Sequence, residues 1–242
     1  MALTDRPCRH IVILTGAGIS RESGLETFRD ENGIWAKVRI EDVATPGAFV
    51  QNPERVHQFY NLRRRQLLSN SVKPNAAHLA LAELEQRWEG SLVLITQNID
   101  DLHERAGSRN LIHMHGELLK SRCQVCERVQ PCREDLDITT VCPSCGSRGS
   151  MRPHVVWFGE IPLSMDQILR ELEHVHLFIA IGTSGNVYPA AGFAEKARSV
   201  GAIAAELNLE PSTNTTTFNE RIYGHATSIV PRYVRRLLDS EP

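Results

Sequence analysis

The chain has 242 residues, 41% of them hydrophobic and 23% charged, with a formal net charge of −2. That composition is that of a soluble globular protein, long enough for one large domain or a core with a smaller module. The near-neutral balance argues against a broad nucleic-acid surface, since non-specific phosphate binding needs a basic excess. No apolar stretch approaches the roughly 18 residues of a membrane helix, and the first ten residues hold too short an apolar segment for a secretory signal. The expected compartment is the cytoplasm.

Residues 10–15, HIVILT, read as a buried strand that runs into Gly16-Ala17-Gly18-Ile19-Ser20. A strand entering glycines that permit close backbone approach is the usual start of a dinucleotide site. The third glycine position of Gly-x-Gly-x-x-Gly holds Arg21, so an ordinary tight turn stays open. No Gly-Lys-Ser/Thr follows, which excludes a P-loop.

Between 32 and 73 the strand pattern stops, and Pro46, Pro53 and Pro74 punctuate what reads as an insertion. Within it, 54–68 predicts a helix with Val56, Phe59, Tyr60, Leu67 and Leu68 turned inward. Tyr60 and Arg63 are three apart and can share one face. The plainer alternative packs Tyr60 into the core and leaves Arg63, Arg64 and Arg65 as a solvated basic face.

After Pro74, Asn75 is placed to cap a helix to Arg87 with Leu79, Ala82 and Leu84 near its buried side. Residues 91–95 predict a strand, and 110–114 a shorter one. The stretch between them is rich in polar groups suited to holding a ligand, Gln97, Asn98 and Asp100, with His113 and His115 beyond. An apolar run feeding such a cluster is typical of the carboxyl edge of an open α/β sheet. His115, followed by Gly116, is the best acid/base candidate, with structural hydrogen bonding as its alternative. His78, His103 and His113 rank behind it.

Cys123-x-x-Cys126, fifteen residues, then Cys142-x-x-Cys145 has the spacing of two knuckles presenting four thiolates to one zinc. Such a closed site supports folding and leaves no position for substrate. Iron–sulfur or redox use of the pairs is the competing reading. Cys132 and Cys8 are spare, and Cys132 is expected to be a partly exposed or packed thiol.

Further along, 153–159 (PHVVWFG) predicts a strand and 166–173 a helix. Strands over 175–181 and 201–207 end in Gly182-Thr183-Ser184-Gly185 and in Asn208, ends suited to phosphates and ribose. A last strand-like piece surrounds Ile229, followed by a helix from Pro231 to about Leu238. No Gly-x-Ser-x-Gly is present, so a nucleophile elbow is not expected.

Taken together, GAGIS at 16–20, SGLETFR at 23–29, QNID at 97–100, His115-Gly116, the two cysteine pairs, VWFGE at 156–160 and Gly182-Thr183-Ser184 resemble the sirtuins, a family of NAD-dependent protein lysine deacylases. The likeness covers nearly the whole chain in order and is closest to bacterial members. It implies an α/β fold, a Rossmann-like parallel sheet domain with a smaller region formed by a zinc module and a helical module. The divisions would be 1–31, 75–116 and 151–242 for the first, 32–74 for the helical module and cofactor loop, and 117–150 for the zinc module. NAD and an acyl-lysine protein or peptide would enter the cleft between them.

The resemblance also implies the chemistry. Nicotinamide would leave the ribose as the acyl carbonyl oxygen attacks the anomeric carbon to give an O-alkylamidate; His115 as base would activate a ribose hydroxyl to attack the amidate carbon, and water would finish the reaction, releasing free lysine and O-acyl-ADP-ribose. Gly16, Ala17, Gly18, Ser20 and Arg29 would serve the phosphate and nicotinamide end, Gln97, Asn98 and Asp100 the nicotinamide ribose, and Gly182, Thr183, Ser184 and Asn208 the adenosine side. Val156, Phe158, Gly159 and Glu160 would line the peptide groove. Tyr60-x-x-Arg63 resembles the branch that removes succinyl and malonyl groups: Arg63 can pair with a distal carboxylate and Tyr60 can donate to it. A deacetylase, a protein mono-ADP-ribosyltransferase and a non-catalytic acyl-peptide reader are the alternatives.

Overall fold

The computed structural model describes residues 9–25 and 39–239. Six segments form one parallel sheet: β1 (His10–Thr15), β2 (Ser91–Thr96), β3 (Leu111–His113), β7 (Leu177–Ile181), β8 (Ile203–Asn208) and β9 (Glu220–Tyr223). Between them in sequence, β4 (Gly116–Cys123), β5 (Val129–Pro131) and β6 (Met151–Val155) make a separate antiparallel sheet ordered β5-β4-β6. The large sheet runs β3-β2-β1-β7-β8-β9, the doubly wound order of a dinucleotide fold, with its switch point between β1 and β7.

Every residue of β1 is buried, because helices cover both faces of the sheet. Ile11 and Ile13 point into one core with Leu81 and Leu84 of α4 (Ala76–Arg87) and with Tyr233 and Val234 of α8 (Ala226–Asp239). Val12 and Leu14 point the other way, against Ile168 and Leu172 of α6 (Met165–Glu173) and Phe193 and Ala197 of α7 (Phe193–Ser199). This is the period-two alternation of a strand sandwiched between two helical layers. The short α1 (Ala17–Ser20) leaves β1 directly, and α5 (Leu102–Ala106) follows the loop after β2.

A third core joins α2 (Pro46–Gln51) and α3 (Pro53–Leu67) to the small sheet: Phe49, Val56, Phe59, Tyr60 and Leu67 pack with Leu118, Val155 and Trp157. Pro46 and Pro53 each occupy the first turn of a helix, where no N–H is needed. The side chains of Thr45 and Asn52 cap those helices by accepting from the N–H of Ala48 and of Arg55, each at 3.0 Å.

Several expectations need correction. Ile229 lies inside α8, not in a strand, and the last strand is β9, which its mixed sequence ERIY concealed. The β-branched pair Ile229-Val230 suggested extended chain, but packing into the α4-facing core selects helix, with Pro231 inside it. The strand expected over 153–159 ends at Val155, and the chain turns through 157–160 where Glu160 N–H donates to Trp157 O at 2.9 Å. Leu79 is 54% exposed, because Ala77, Ala80, Leu81 and Leu84 form the inward stripe and leave it on the far side. Arg64 is 0% exposed and belongs to no solvated face. Its Nε donates to Leu118 O at 3.2 Å and its Nη1 to Asn61 Oδ1 at 2.8 Å, clamping α3 to β4.

Candidate functional site

Three strand exits meet at the carboxyl edge of the sheet. The first two, after β1 and β7, touch through backbone: Gly16 N–H donates to Ile181 O and Gly18 N–H to Gly182 O, each at 3.0 Å. A Cβ on Gly18 would sit 2.7 Å from Gly182 Cα, and Gly182 itself has φ +64 with Ile19 N only 2.5 Å from its own would-be Cβ. Neither position accepts a side chain, so the floor at the switch point is bare backbone, as close approach of a pyrophosphate requires. Asn208, at the end of β8, pins the second loop: its Oδ1 accepts from Thr183 N–H and its amide donates to Thr183 O, each at 3.0 Å. Ser184 Oγ accepts from Asn186 N–H at 3.3 Å.

The third exit, after β2, carries Gln97, Asn98 and Asp100. The Asn98 amide donates to Gly16 O and to Ser20 Oγ at 3.1 Å each, and the Ser20 hydroxyl donates to Asp100 Oδ2 at 2.9 Å. Ser20, Asn98 and Asp100 are therefore one linked group. Burial pushes the Asp100 carboxyl up to about 6, although Leu102 N–H and the Ser20 hydroxyl oppose that rise. Below this group lies a second polar layer, in which His78 and His103, ranked in the sequence as lesser acid/base candidates, join Asn75, Thr15 and Thr96. His78, three residues past the Asn75 cap, accepts the Asn75 N–H on Nδ1 and leaves Nε2 3.5 Å from Ser20 Oγ. The Thr15 hydroxyl donates to Thr96 Oγ1 at 2.9 Å and lies 3.0 Å from His103 Nε2, while Thr96 Oγ1 also accepts Asn98 N–H at 3.0 Å. Burial holds His78 at about 4 and His103 well below its ordinary value, so these imidazoles are neutral supports.

His115 stands where β3 gives way to β4, and Gly116, at φ +79, makes the turn beside it. Its Nδ1 is 3.1 Å from Gln97 O. A carbonyl only accepts, so Nδ1 carries the proton and Nε2 is left with its lone pair, the form a general base needs. Burial lowers its pKa, partly offset by that carbonyl, and keeps the ring neutral near pH 7. His113 is occupied differently: its Nε2 meets Glu104 Oε1 at 2.7 Å. Burial would lower His113, but Glu104, with Glu117 and the Asn98 carbonyl, outweighs it and raises its pKa. The two histidines thus separate into a neutral ring and a carboxylate-bound one.

Beyond His115, its carbonyl accepts Val156 N–H and Ala44 O accepts Phe158 N–H, each at 2.9 Å, which ties the 156–160 segment to the sheet domain side and to the helical module. Glu160 is held by Arg152, whose Nη1 and Nη2 donate at 2.7 and 3.0 Å, and it accepts Trp157 N–H at 2.8 Å. Val156, Gly159 and Glu160 line an open cavity of about 380 Å³ with Arg122, His154 and Ile161. Phe158 is exposed at its side. Tyr60 is 3% exposed, its hydroxyl accepting Trp157 Nε1–H at 3.0 Å, and Arg63 is half-buried with its guanidinium 5.8 Å from the Phe59 ring centroid. Tyr60 and Arg63 sit one turn apart on α3, and Tyr60 reaches the 156–160 turn through Trp157. Arg29 and Cys8 fall outside the described residues.

Cys123, Cys126, Cys142 and Cys145 converge so that their sulfurs all lie within 4.8 Å of one another. Cys123–Cys145 and Cys126–Cys142 are 3.7 and 3.8 Å apart. Sulfurs at about 2.3 Å from a tetrahedral zinc are separated by about 3.8 Å, the spacing of these two pairs, so the four thiols are arranged to hold that ion. Cys132 is buried beside them and its thiol donates to Glu134 O at 3.4 Å, as a packed thiol outside the ligand set.

The Sir2 family model matches residues 16–189, well over half of the chain. The chain belongs to the Sir2 family. The NAD-dependent protein deacylase SIR2rp3 of Leishmania major is 56% identical over 237 residues, covering 96% of this chain and 97% of its own. The NAD-dependent protein deacylase of Vibrio cholerae is 54% identical, covering 97% and 96%. Among solved structures, a Sir2 homologue in complex with NAD superposes with a TM-score of 0.87 at 39% identity, over 96% of this chain and 91% of that one. The Sir2 site of this chain also contains residues no motif flagged. Glu206, fully buried on β8, accepts from Asn208, from Ser212 N–H and from the Tyr223 hydroxyl at 2.9, 2.9 and 3.0 Å, and also from the Thr215 hydroxyl, and so ties β8 to the edge strand β9. Nothing in the local sequence marks it, since its partners Asn208, Ser212, Thr215 and Tyr223 are spread over sixteen positions of the chain.

Proposed function

We propose that the chain is an NAD-dependent protein lysine deacylase that removes succinyl and malonyl groups as well as acetyl, releasing nicotinamide, O-acyl-ADP-ribose and free lysine. The observation that carries the deacylase reading is His115: a neutral imidazole with Nε2 left basic, held by Gln97 at the meeting point of the sheet exits and the 156–160 segment. NAD fits the bare glycine floor with Gly16, Ala17, Gly18 and Ser20 along its phosphates, and Gly182, Thr183, Ser184 and Asn208 toward adenosine; Arg29 belongs to the same set by its motif. Bound there, NAD supplies an electrophilic ribose carbon. Gln97, Asn98 and Asp100 orient the ribose and carboxamide, and His115 Nε2 takes the proton of a ribose hydroxyl. Val156, Phe158, Gly159 and Glu160 hold the peptide as an added strand.

The acidic-acyl reading rests on Tyr60 and Arg63, three apart on α3, with Tyr60 hydrogen-bonded to Trp157 in the 156–160 turn. An arginine fork and a phenol hydroxyl match a terminal carboxylate, and acetyl has none. A mainly deacetylating enzyme is the second reading, favoured by the deep burial of Tyr60. We take the unit boundaries as 1–31, 75–116 and 151–242 for the dinucleotide domain, 32–74 for the helical module and 117–150 for the zinc module. Four reduced zinc-binding thiols suit the cytoplasm. Among the described residues no helix is long and apolar enough to cross a membrane.

The test is turnover of matched acetyl-lysine and succinyl-lysine peptides with NAD, following free peptide and O-acyl-ADP-ribose by mass spectrometry. Succinyl turnover lost selectively in Tyr60→Phe and Arg63→Met supports the reading; acetyl-only turnover, indifferent to those changes, leaves a deacetylase. ADP-ribosylated protein without lysine deacylation would favour a transferase, and ligand binding without nicotinamide release a reader.

A further inference from the structure

Trp157 makes a polar contact that its large, fully buried ring does not need for packing. Its indole N–H donates to the Tyr60 hydroxyl at 3.0 Å, between residues 97 positions apart. An indole N–H can only donate, so at this contact the Tyr60 oxygen is the acceptor and its own proton is directed elsewhere. The indole is itself fixed: the Arg152 guanidinium lies 3.3 Å from its ring centroid, and the Phe49 ring packs 5.4 Å away. Arg152 is in turn held by Glu160, which also accepts the Trp157 backbone N–H. One residue therefore joins the peptide-groove turn to the hydroxyl at the acyl end.

We propose that Trp157 is a specificity-determining positioning residue, whose indole N–H fixes the Tyr60 hydroxyl as a donor toward the terminal carboxylate of an acidic acyl group. This rests on the acidic-acyl reading of Tyr60 and Arg63. A carboxylate only accepts hydrogen bonds, so a hydroxyl free to turn its lone pairs outward would repel it for part of the time. Removing that freedom favours the acidic acyl group and is without consequence for acetyl, which brings no acceptor to that end. Burial keeps the phenol protonated, with its pKa pushed up to about 12, so the proton is available at neutral pH.

The experiment measures kcat and KM on matched acetyl- and succinyl-lysine peptides for the wild type, Trp157→Phe, Tyr60→Phe and the double variant, with a thermal melt of each. Trp157→Phe is expected to raise KM for the succinyl peptide about fivefold, an effect of the size of one weakened charged hydrogen bond. The acetyl kcat/KM should stay within about twofold, and in the Tyr60→Phe background Trp157→Phe should no longer change the succinyl/acetyl ratio. Equal losses on the two peptides, or a succinyl-selective loss that persists in the Tyr60→Phe background, overturn the proposal. Where phenylalanine loosens the core enough to lower the melting temperature, Trp157→benzothienylalanine keeps the ring shape and replaces only the N–H. A ratio unmoved by Tyr60→Phe and Arg63→Met defeats the acidic-acyl reading and this proposal with it. A ratio moved by Tyr60→Phe but not by Trp157 substitution defeats this proposal alone.

Discussion

Asp100 is a carboxyl group whose surroundings disfavour its charge. Its folded pKa, about 6, lies above the ordinary 3.8, and burial is the main cause. Between those values the folded chain binds a proton that the unfolded chain releases, so this group's contribution to stability falls as pH rises from about 4 to 6. At pH 7 the cost is on the order of 2 to 3 kcal/mol. Asp100→Asn is therefore expected to be more stable than the wild type by a margin that opens over that interval, while turnover falls; denaturant melts at pH 4 and pH 7 check it. His115 has the opposite arrangement. Its lowered pKa predicts that kcat/KM rises with pH through a midpoint below 6.5, and His115→Asn should cost about 10² to 10⁴ in kcat with a much smaller change in melting temperature. His115 was legible because His-Gly beside a polar strand exit is a local pattern. Its tautomer was not, because Gln97 O is eighteen positions away.

At the scale of elements, the small antiparallel sheet has a core made largely of its own thiols, Cys123, Cys132 and Cys142, with Leu136 and Met151. So little apolar surface cannot hold three strands together, and the metal must supply the difference. One zinc per chain is expected by elemental analysis, and Cys142→Ser or exhaustive chelation should lose it together with amide protection across 116–155. The cysteine spacing made this module readable directly. The clamp above it was hidden, since in a run of three arginines nothing local distinguishes the one that faces inward. Arg64→Leu is expected to destabilise by about 2 to 4 kcal/mol, removing the buried donor of Leu118 O and leaving Asn61 Oδ1 with the Leu136 N–H alone, whereas Arg65→Ala, with a long 3.7 Å pairing at the surface, should change little. Comparative chemical denaturation of the two variants separates these outcomes.

Across the whole molecule, the doubly wound sheet followed from continuous apolar runs that end in glycines or polar clusters, and five of its six strands lie where those runs predicted them. β9 escaped because an edge strand of four residues, alternating in burial, carries no such run. Ile229 misled because β-branched residues serve helices as well when a core awaits them. The sheet order also has a consequence in time. β1 is paired with β7, yet the two are separated by the whole of the helical module, β2, β3 and the zinc module. During synthesis the first strand must therefore wait, with one flank unpaired, until residues 177–181 have emerged. The glycine floor between Gly16, Gly18 and Gly182 does not exist before then. A nascent chain halted just short of β7 can already possess its zinc site and the helices α1 to α6 and still have no place to receive a dinucleotide.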